Sequence, residues 1–222
     1  MAKRTSHPIR RAGRPGSKEH ERASGPARSR KEPQVASARD RAKRPPLIRA
    51  YLAVSLDGYI ADRDDGVAWL DPFFSPEVDF AGFVKTIGAT IMGRATYDWS
   101  VAHGHAGQAG GRCLVLTHRP IDHPPPGVEA FEGDVRELAD RLRRELADTS
   151  KDVWHMGGGL SIAPFHAAGL IDRWELAIMP VVLGDGIPLF PKHSRGAERL
   201  RLTRSRTLKN GIVEVCYEPQ TV

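Results

Sequence analysis

Cysteine is nearly absent, at two of 222 residues. Cys113 and Cys216 each sit in an apolar run, with no CxxC pair, no Cys/His metal spacing and no secretory context, so two reduced core thiols are expected. Long apolar stretches are missing too. No segment reaches the roughly 18 to 20 apolar residues of a membrane span, and the start lacks the apolar core of a secretory signal. A soluble, cytoplasmic protein without a membrane partner is therefore expected. The Walker sequence, G-x-S-x-G and H-E-x-x-H do not occur, which removes support for ATP hydrolysis, serine esterase and zincin chemistry. No internal repeat is visible.

Residues 1–46 lack aromatics and hold one Ile, one Val and the initiator Met as their larger apolar side chains. With so little to bury against the entropy of ordering a backbone, this segment is expected to be disordered. It carries 14 basic and four acidic residues, or +10, and the whole chain is +6, so residues 47–222 carry −4. A basic tail thus precedes a mildly acidic body, and weak, salt-sensitive attraction of the tail to nucleic acid is expected. The tail has no aromatic residue for base stacking. The body, 47–222, is expected to be one domain.

From Leu47 onward apolar runs alternate with helical patterns. Strands are predicted at 48–55, 89–93, 112–117, 128–131, 152–156, 174–182, 201–208 and 212–218. A helix is predicted over 76–87, with Ser75 as its cap and Pro76 at its first position. A second follows Asp134, with Val135, Leu138, Leu142 and Leu146 on one face, and a third runs from Gly159 to near Gly169. Strand, helix, strand order implies parallel pairing, while Asn210-Gly211 predicts a two-residue hairpin turn. The fold class expected is α/β, with a mixed, mostly parallel sheet of about eight strands and an antiparallel C-terminal hairpin.

In such sheets ligands bind at the carboxyl ends of strands. Three ends have unusual composition. Gly93, Arg94, Ala95 and Thr96 combine a bare backbone with groups able to hold phosphate oxygens. Thr117, His118 and Arg119 bring a hydroxyl, an imidazole and a guanidinium to one strand end. Gly157, Gly158, Gly159 and Leu160 lead a strand into a helix, where exposed N–H groups can meet a pyrophosphate. Any one of these reads equally as an ordinary surface turn; together they favour a phosphate-bearing cofactor. The glycines are not the Rossmann fingerprint, because Ile162 stands at its sixth position.

These motifs, in this order, resemble the dihydrofolate reductase superfamily, in particular its bacterial branch related to the C-terminal reductase domain of riboflavin-biosynthesis deaminase-reductases. The resemblance also rests on Ser55 to Ala61 and on Pro180 to Phe190, and covers Leu47 to about Tyr217. It implies a three-layer α/β/α sandwich, a homodimer, and NADPH-dependent hydride transfer to the C=N or C=O of a pterin, pyrimidine or related heterocyclic substrate. It further implies that Gly93, Arg94 and Thr96 hold adenine-side phosphates, that Thr117, His118 and Arg119 surround the 2′-phosphate, and that Gly157 to Gly159 lie under the pyrophosphate and nicotinamide. Two arginines near one cofactor end favour NADPH over NADH. No zinc deaminase motif occurs, so a stand-alone reductase is expected.

The proton donor has three candidates. By resemblance Asp79 opens the helix ahead of the Met-Gly-Arg strand, and Glu77 is the runner-up by spacing; both also read as first-turn acids that favour the helix dipole. Asp57-Gly58 either opens the mobile loop over the nicotinamide or makes a plain turn in which Asp57 accepts from backbone N–H groups. Trp69 resembles the tryptophan that follows that loop and reads equally as core. His103 and His105 lack a third ligand and read as surface loop, so no metal is expected. The competing functions are a non-catalytic dinucleotide-binding protein and a nucleic-acid binder acting through the tail.

Overall fold

The apolar runs become strands within about two residues of most predicted bounds. The computed structural model describes residues 44–105, 111–191 and 197–220. The expectations for the tail before Arg44 lie outside the described residues. Arg44 itself is tied to the body: its guanidinium donates to both carboxylate oxygens of Asp152 at 2.8 Å, and the Leu47 N–H donates to the same carboxylate at 3.0 Å. The ordered body thus includes Arg44, three residues before the predicted start.

Strands β1 (Ile48–Ser55), β3 (Ile87–Gly93), β4 (Arg112–Leu116), β5 (Val128–Phe131), β6 (Asp152–Gly157), β7 (Arg173–Met179), β9 (Leu200–Thr207) and β10 (Val213–Pro219) form one sheet in the order β5-β4-β3-β6-β1-β7-β10-β9. The first six are parallel. β10 runs antiparallel to both β7 and β9. Helices α3 (Val135–Glu145) and α4 (Gly159–Ala167) cover one face of the sheet, over Ile48, Ala50, Ile91, Leu114 and Val153. On the other face α1 (Phe80–Lys85) lays Phe83 against Tyr51 and Trp154, and α2 (Arg94–Ala102) lays Tyr97 against Met92 and Val115. The result is the expected three-layer α/β/α sandwich. Leu138, Leu142 and Phe165 are at most 1% exposed, and each contributes roughly 1.5 to 3 kcal/mol by leaving water. Cys113 and Cys216 are buried and unpaired.

Four local differences have physical causes. The helix predicted from 76 begins at Phe80, because Asp79 accepts from the Gly82 N–H at 2.8 Å and caps it, while Ser75 closes a separate turn by accepting from the Glu77 N–H. The strand predicted to 182 stops at Met179, since Pro180 has no N–H to extend the ladder. The hairpin loop holds three residues: Leu208 N–H donates to Ile212 O, and Gly211 closes the turn at φ +88. That is the three-residue hairpin with its glycine in the left-handed region. Finally, α2, the short pair β2 (Tyr59–Ala61) with β8 (Ile187–Pro188), and a 3-10 turn over Ala68–Phe73 were not predicted. The β2–β8 pair matters most for function, because it folds the Pro180 to Phe190 segment over the carboxyl end of the sheet.

Candidate active site

The carboxyl ends of β3, β4 and β6 open onto one cleft of about 690 Å³. Its walls include Gly93, Arg94, Ala95 and Thr96 after β3, Thr117, His118 and Arg119 after β4, and Gly158, Gly159 and Leu160 after β6. Gly157 lines an adjoining compartment of about 380 Å³. Asp65, Ala95, Thr96, Gly158 and Ile187 belong to both walls, so the two spaces meet at a junction. All eleven residues singled out for cofactor binding are therefore brought together.

Asp98, which sequence reading passed over, aligns the two arginines. Arg94 Nε donates to its Oδ1 at 2.7 Å, and Arg119 lies 3.6 Å from its Oδ2. Arg94 also donates to the Pro120 carbonyl at 3.0 Å, which ties α2 to the loop after β4. The signal for Asp98 was present as an i,i+4 pair with Arg94 on a helix that went unpredicted. His118 Nδ1 lies 2.7 Å from Glu132 Oε1, both exposed.

The glycine turn has two origins. Gly157 and Gly158 take φ values of +128 and +79, which side-chain-bearing residues avoid. The Ser161 hydroxyl pins the turn, reaching the carbonyls of Gly157 at 2.5 Å and Gly158 at 2.8 Å. Gly159 is glycine for packing, since a Cβ there would lie 2.4 Å from Pro188 O in β8. Behind the turn, His155 is fully buried, with Nε2 3.1 Å from Ser161 O and Nδ1 without a partner. Burial pushes its pKa down to about 4, opposed by the Ser161 hydrogen bond.

First-turn N–H groups of a helix have no intrahelical acceptor and carry partial positive charge. At α4 the Ser161 N–H donates to Gly158 O at 3.0 Å, which leaves the N–H groups of Gly159 and Leu160, two residues that line the cleft. Together with the braced Arg94 and Arg119, this donor set fits a polyanionic nucleotide.

The adjoining compartment is aromatic. Tyr51, Trp99, Trp154 and Met156 line it, with Leu70 and Ile60. Tyr51 stacks on Phe83 at 4.1 Å, and Trp154 Nε1 donates to Tyr51 O at 2.9 Å. Burial first, then the Glu214 and Glu175 carboxylates, push the Tyr51 hydroxyl up to about 12.

None of the three carboxyls singled out for proton transfer lines either space. Asp79 serves as the α1 cap. Glu77 sits in the turn before α1 and faces the hairpin, where the Lys209 N–H, 3.2 Å away, holds its carboxyl below the usual range with help from the Lys209 ammonium. Asp57 is a clasp: it accepts from Ser55 Oγ at 2.6 Å, Gly184 N–H at 2.7 Å and Leu183 N–H at 3.2 Å, and the Ser55 bond foremost keeps it ionised. That is the turn reading of Asp57, extended across to the loop before β8. Among the described residues the carboxyl on both walls is Asp65, an exposed residue at φ +61. It lay unnoticed among Asp62, Asp64 and Gly66. Trp69 packs in a core cluster with Met179 and Leu208, and His103 stacks on Trp99 at 4.1 Å.

The profile of the RibD C-terminal domain matches residues 46–214, which include the carboxyl ends of β3, β4 and β6. This chain belongs to the RibD C-terminal domain family. Two curated relatives of this RibD C-terminal chain come from Bacillus subtilis (strain 168). The uncharacterized protein YwjB is 33% identical over 142 residues, covering 63% of this chain and 80% of YwjB. The uncharacterized protein YyaP is 28% identical over 184 residues, covering 75% and 91%. Among solved structures, a putative riboflavin biosynthesis protein from Shewanella sp. PV-4 has a TM-score of 0.69 at 22% identity, covering 79% of this chain and 99% of that one. A dihydrofolate reductase from Enterococcus faecalis, complexed with NADP(H), has a TM-score of 0.55 at 19% identity, covering 79% and 97%. At these identities the structures carry the fold, which is that of dihydrofolate reductase. The RibD C-terminal domain family is reductase-like, of the riboflavin-pathway type, and the superfamily resemblance read from the motifs holds.

Proposed function

We propose that this protein is an NADPH-dependent oxidoreductase that reduces a C=N or C=O bond of a small pterin-, pyrimidine- or related heterocycle. The observation that carries the reading is the convergence of Arg94, Arg119 and the glycine turn on one cleft that shares a wall with an aromatic compartment. Bound NADPH would supply the hydride. Arg94 and Arg119, braced by Asp98, with Thr117 and His118 beside them, bind the 2′-phosphate. The α4 N–H groups behind Gly157 and Gly158 hold the pyrophosphate, and Ala95 and Thr96 form the shared wall. The aromatic side chains hold the substrate ring flat and exclude water. The proton that balances the hydride comes through solvent at the junction, where Asp65 orients it. The resemblance extends the reading to a homodimer, which sedimentation equilibrium would record as twice the 24.4 kDa chain.

Thermal unfolding of the full-length chain tests the cofactor. At about 100 times its Kd a ligand adds roughly 2.7 kcal/mol, or about 5 to 10 °C for a domain of this size. NADPH is expected to reach that shift at lower concentration than NADH. Melting curves unmoved by either dinucleotide at millimolar concentration would refute the proposal.

A further inference from the structure

The two spaces differ sharply in charge. The cleft that receives the cofactor has Arg94, His118, Arg119 and a helix N-terminus on its walls, against Asp65 and Glu132. Among the described residues, the aromatic compartment has no Lys, Arg or His on its wall, and Asp65 is the one charged residue there. We propose that this compartment selects a neutral, planar, conjugated heterocycle and turns away rings that bear a phosphate or carboxylate. The inference rests on the reductase reading and narrows its substrate.

An anion needs donors to replace its lost water. Two of the donors on this wall are already committed. Trp154 Nε1 donates to Tyr51 O, and the Ser100 hydroxyl donates to Thr96 O at 2.8 Å. Behind the aromatic wall, Arg49 sits 4.6 Å from the centre of the Phe83 ring and donates twice to Glu175 at 2.8 Å. It also donates to Thr86 Oγ1 and to Asp152, so its charge is neutralised by the protein itself. Arg63, two residues before Asp65, pairs with Asp185 at 2.8 Å. The loop bearing it also carries Asp62, Asp64 and Asp65. From behind, Glu214 and Glu175 raise the Tyr51 hydroxyl more than Arg204 and Arg49 lower it. An uncharged ring, by contrast, gains from burial against Tyr51 and Trp154.

The selection differs from what a phosphoribosyl-bearing substrate would need, and the two are separable by experiment. The full-length protein is first titrated with NADP+ by calorimetry, which tests the cofactor reading by itself. The NADP+-saturated protein is then titrated with pterin, neutral at neutral pH, and with pterin-6-carboxylate, which has the same ring with one anionic group, each followed by its own fluorescence anisotropy. Pterin is expected to bind at least about tenfold more tightly, given like-charge repulsion and an unmatched carboxylate. Asp65→Asn should narrow that gap, and Leu70→Lys, which places a cation on the wall, should close or reverse it. Equal or tighter binding of the carboxylate by the unmodified protein overturns the proposal and leaves the cofactor reading standing. Binding of NADP+ without binding of either pterin overturns the substrate class alone. Failure of NADP+ to bind overturns the reductase reading on which the proposal rests.

Discussion

Lowering the pH should destabilise this protein through one buried imidazole. His155 is 0% exposed, its Nδ1 has no partner, and its ring meets Phe165 edge-on at 4.9 Å. Protonation would place a charge and an unsatisfied N–H in that apolar layer, which is why burial lowers the pKa from 6.5 to about 4. A depressed folded-state value means that between 6.5 and about 4 the unfolded chain binds the extra proton and the folded chain does not. The contribution to stability is therefore complete above the unfolded value and is lost as pH falls toward the folded one. Between about pH 7.5 and about pH 5 the loss integrates to about 2 kcal/mol. Urea unfolding followed by tryptophan fluorescence at both pH values, on the unmodified protein and on His155→Leu, isolates it. Carboxylates such as Asp57 and Glu129, whose pKa values are lowered, titrate in both proteins and cancel in the comparison. The unmodified protein should lose about 2 kcal/mol more than the variant over that interval. Equal losses would show that His155 is not held neutral by its surroundings. Because Ser161 O is its hydrogen-bond partner, the glycine turn is the element expected to loosen with it.

Removing either cleft arginine, Arg94→Ala or Arg119→Ala, should weaken NADPH by about tenfold or more and leave NADH nearly unchanged, as read by calorimetry, since a hydrogen bond to a charged group contributes roughly 1.5 to 3 kcal/mol. Asp98→Asn should raise the NADPH Kd severalfold by freeing both guanidiniums, while the melting temperature moves by under about 2 °C, because exposed ion pairs contribute little to stability. Gly158→Ala forces a Cβ at φ +79 to within 3.3 Å of both Ser161 Oγ and Thr96 Oγ1. It should cost about 1 to 2 kcal/mol in chemical denaturation.

The strands and two helices were legible because each has an unambiguous signal: apolar runs bounded by turns, or an Asp cap followed by a helical stripe. The cofactor half of the site was legible for a related reason, since its residues lie at strand ends, where topology alone brings them together. What escaped had no local period. β2 and β8 are three and two residues long, too short to alternate detectably. The cap of α2 is Gly93, which has no side chain to signal it, and without that helix Asp98 had no reason to be paired with Arg94. Resemblance points to Asp79 and spacing to Glu77, both within a helix expected from 76. With α1 beginning at Phe80, Glu77 turns toward Lys209 and Asp79 is consumed as a cap. Asp65 and His155 are functions of tertiary setting: one is an ordinary turn aspartate until β2 and β8 bring its loop to the junction, the other an ordinary strand residue until α4 seals it.

The Arg44 and Asp152 pairing ties Arg44 to the first residue of β6. Asp152 opens β6 and Gly157 ends it, so the anchor and the glycine turn are separated by nearly a full strand, roughly 17 to 20 Å. A fluorophore attached at Pro45, exposed beside that anchor, would report from the amino-terminal rim of the sheet, a strand's length from the rim that carries the glycine turn.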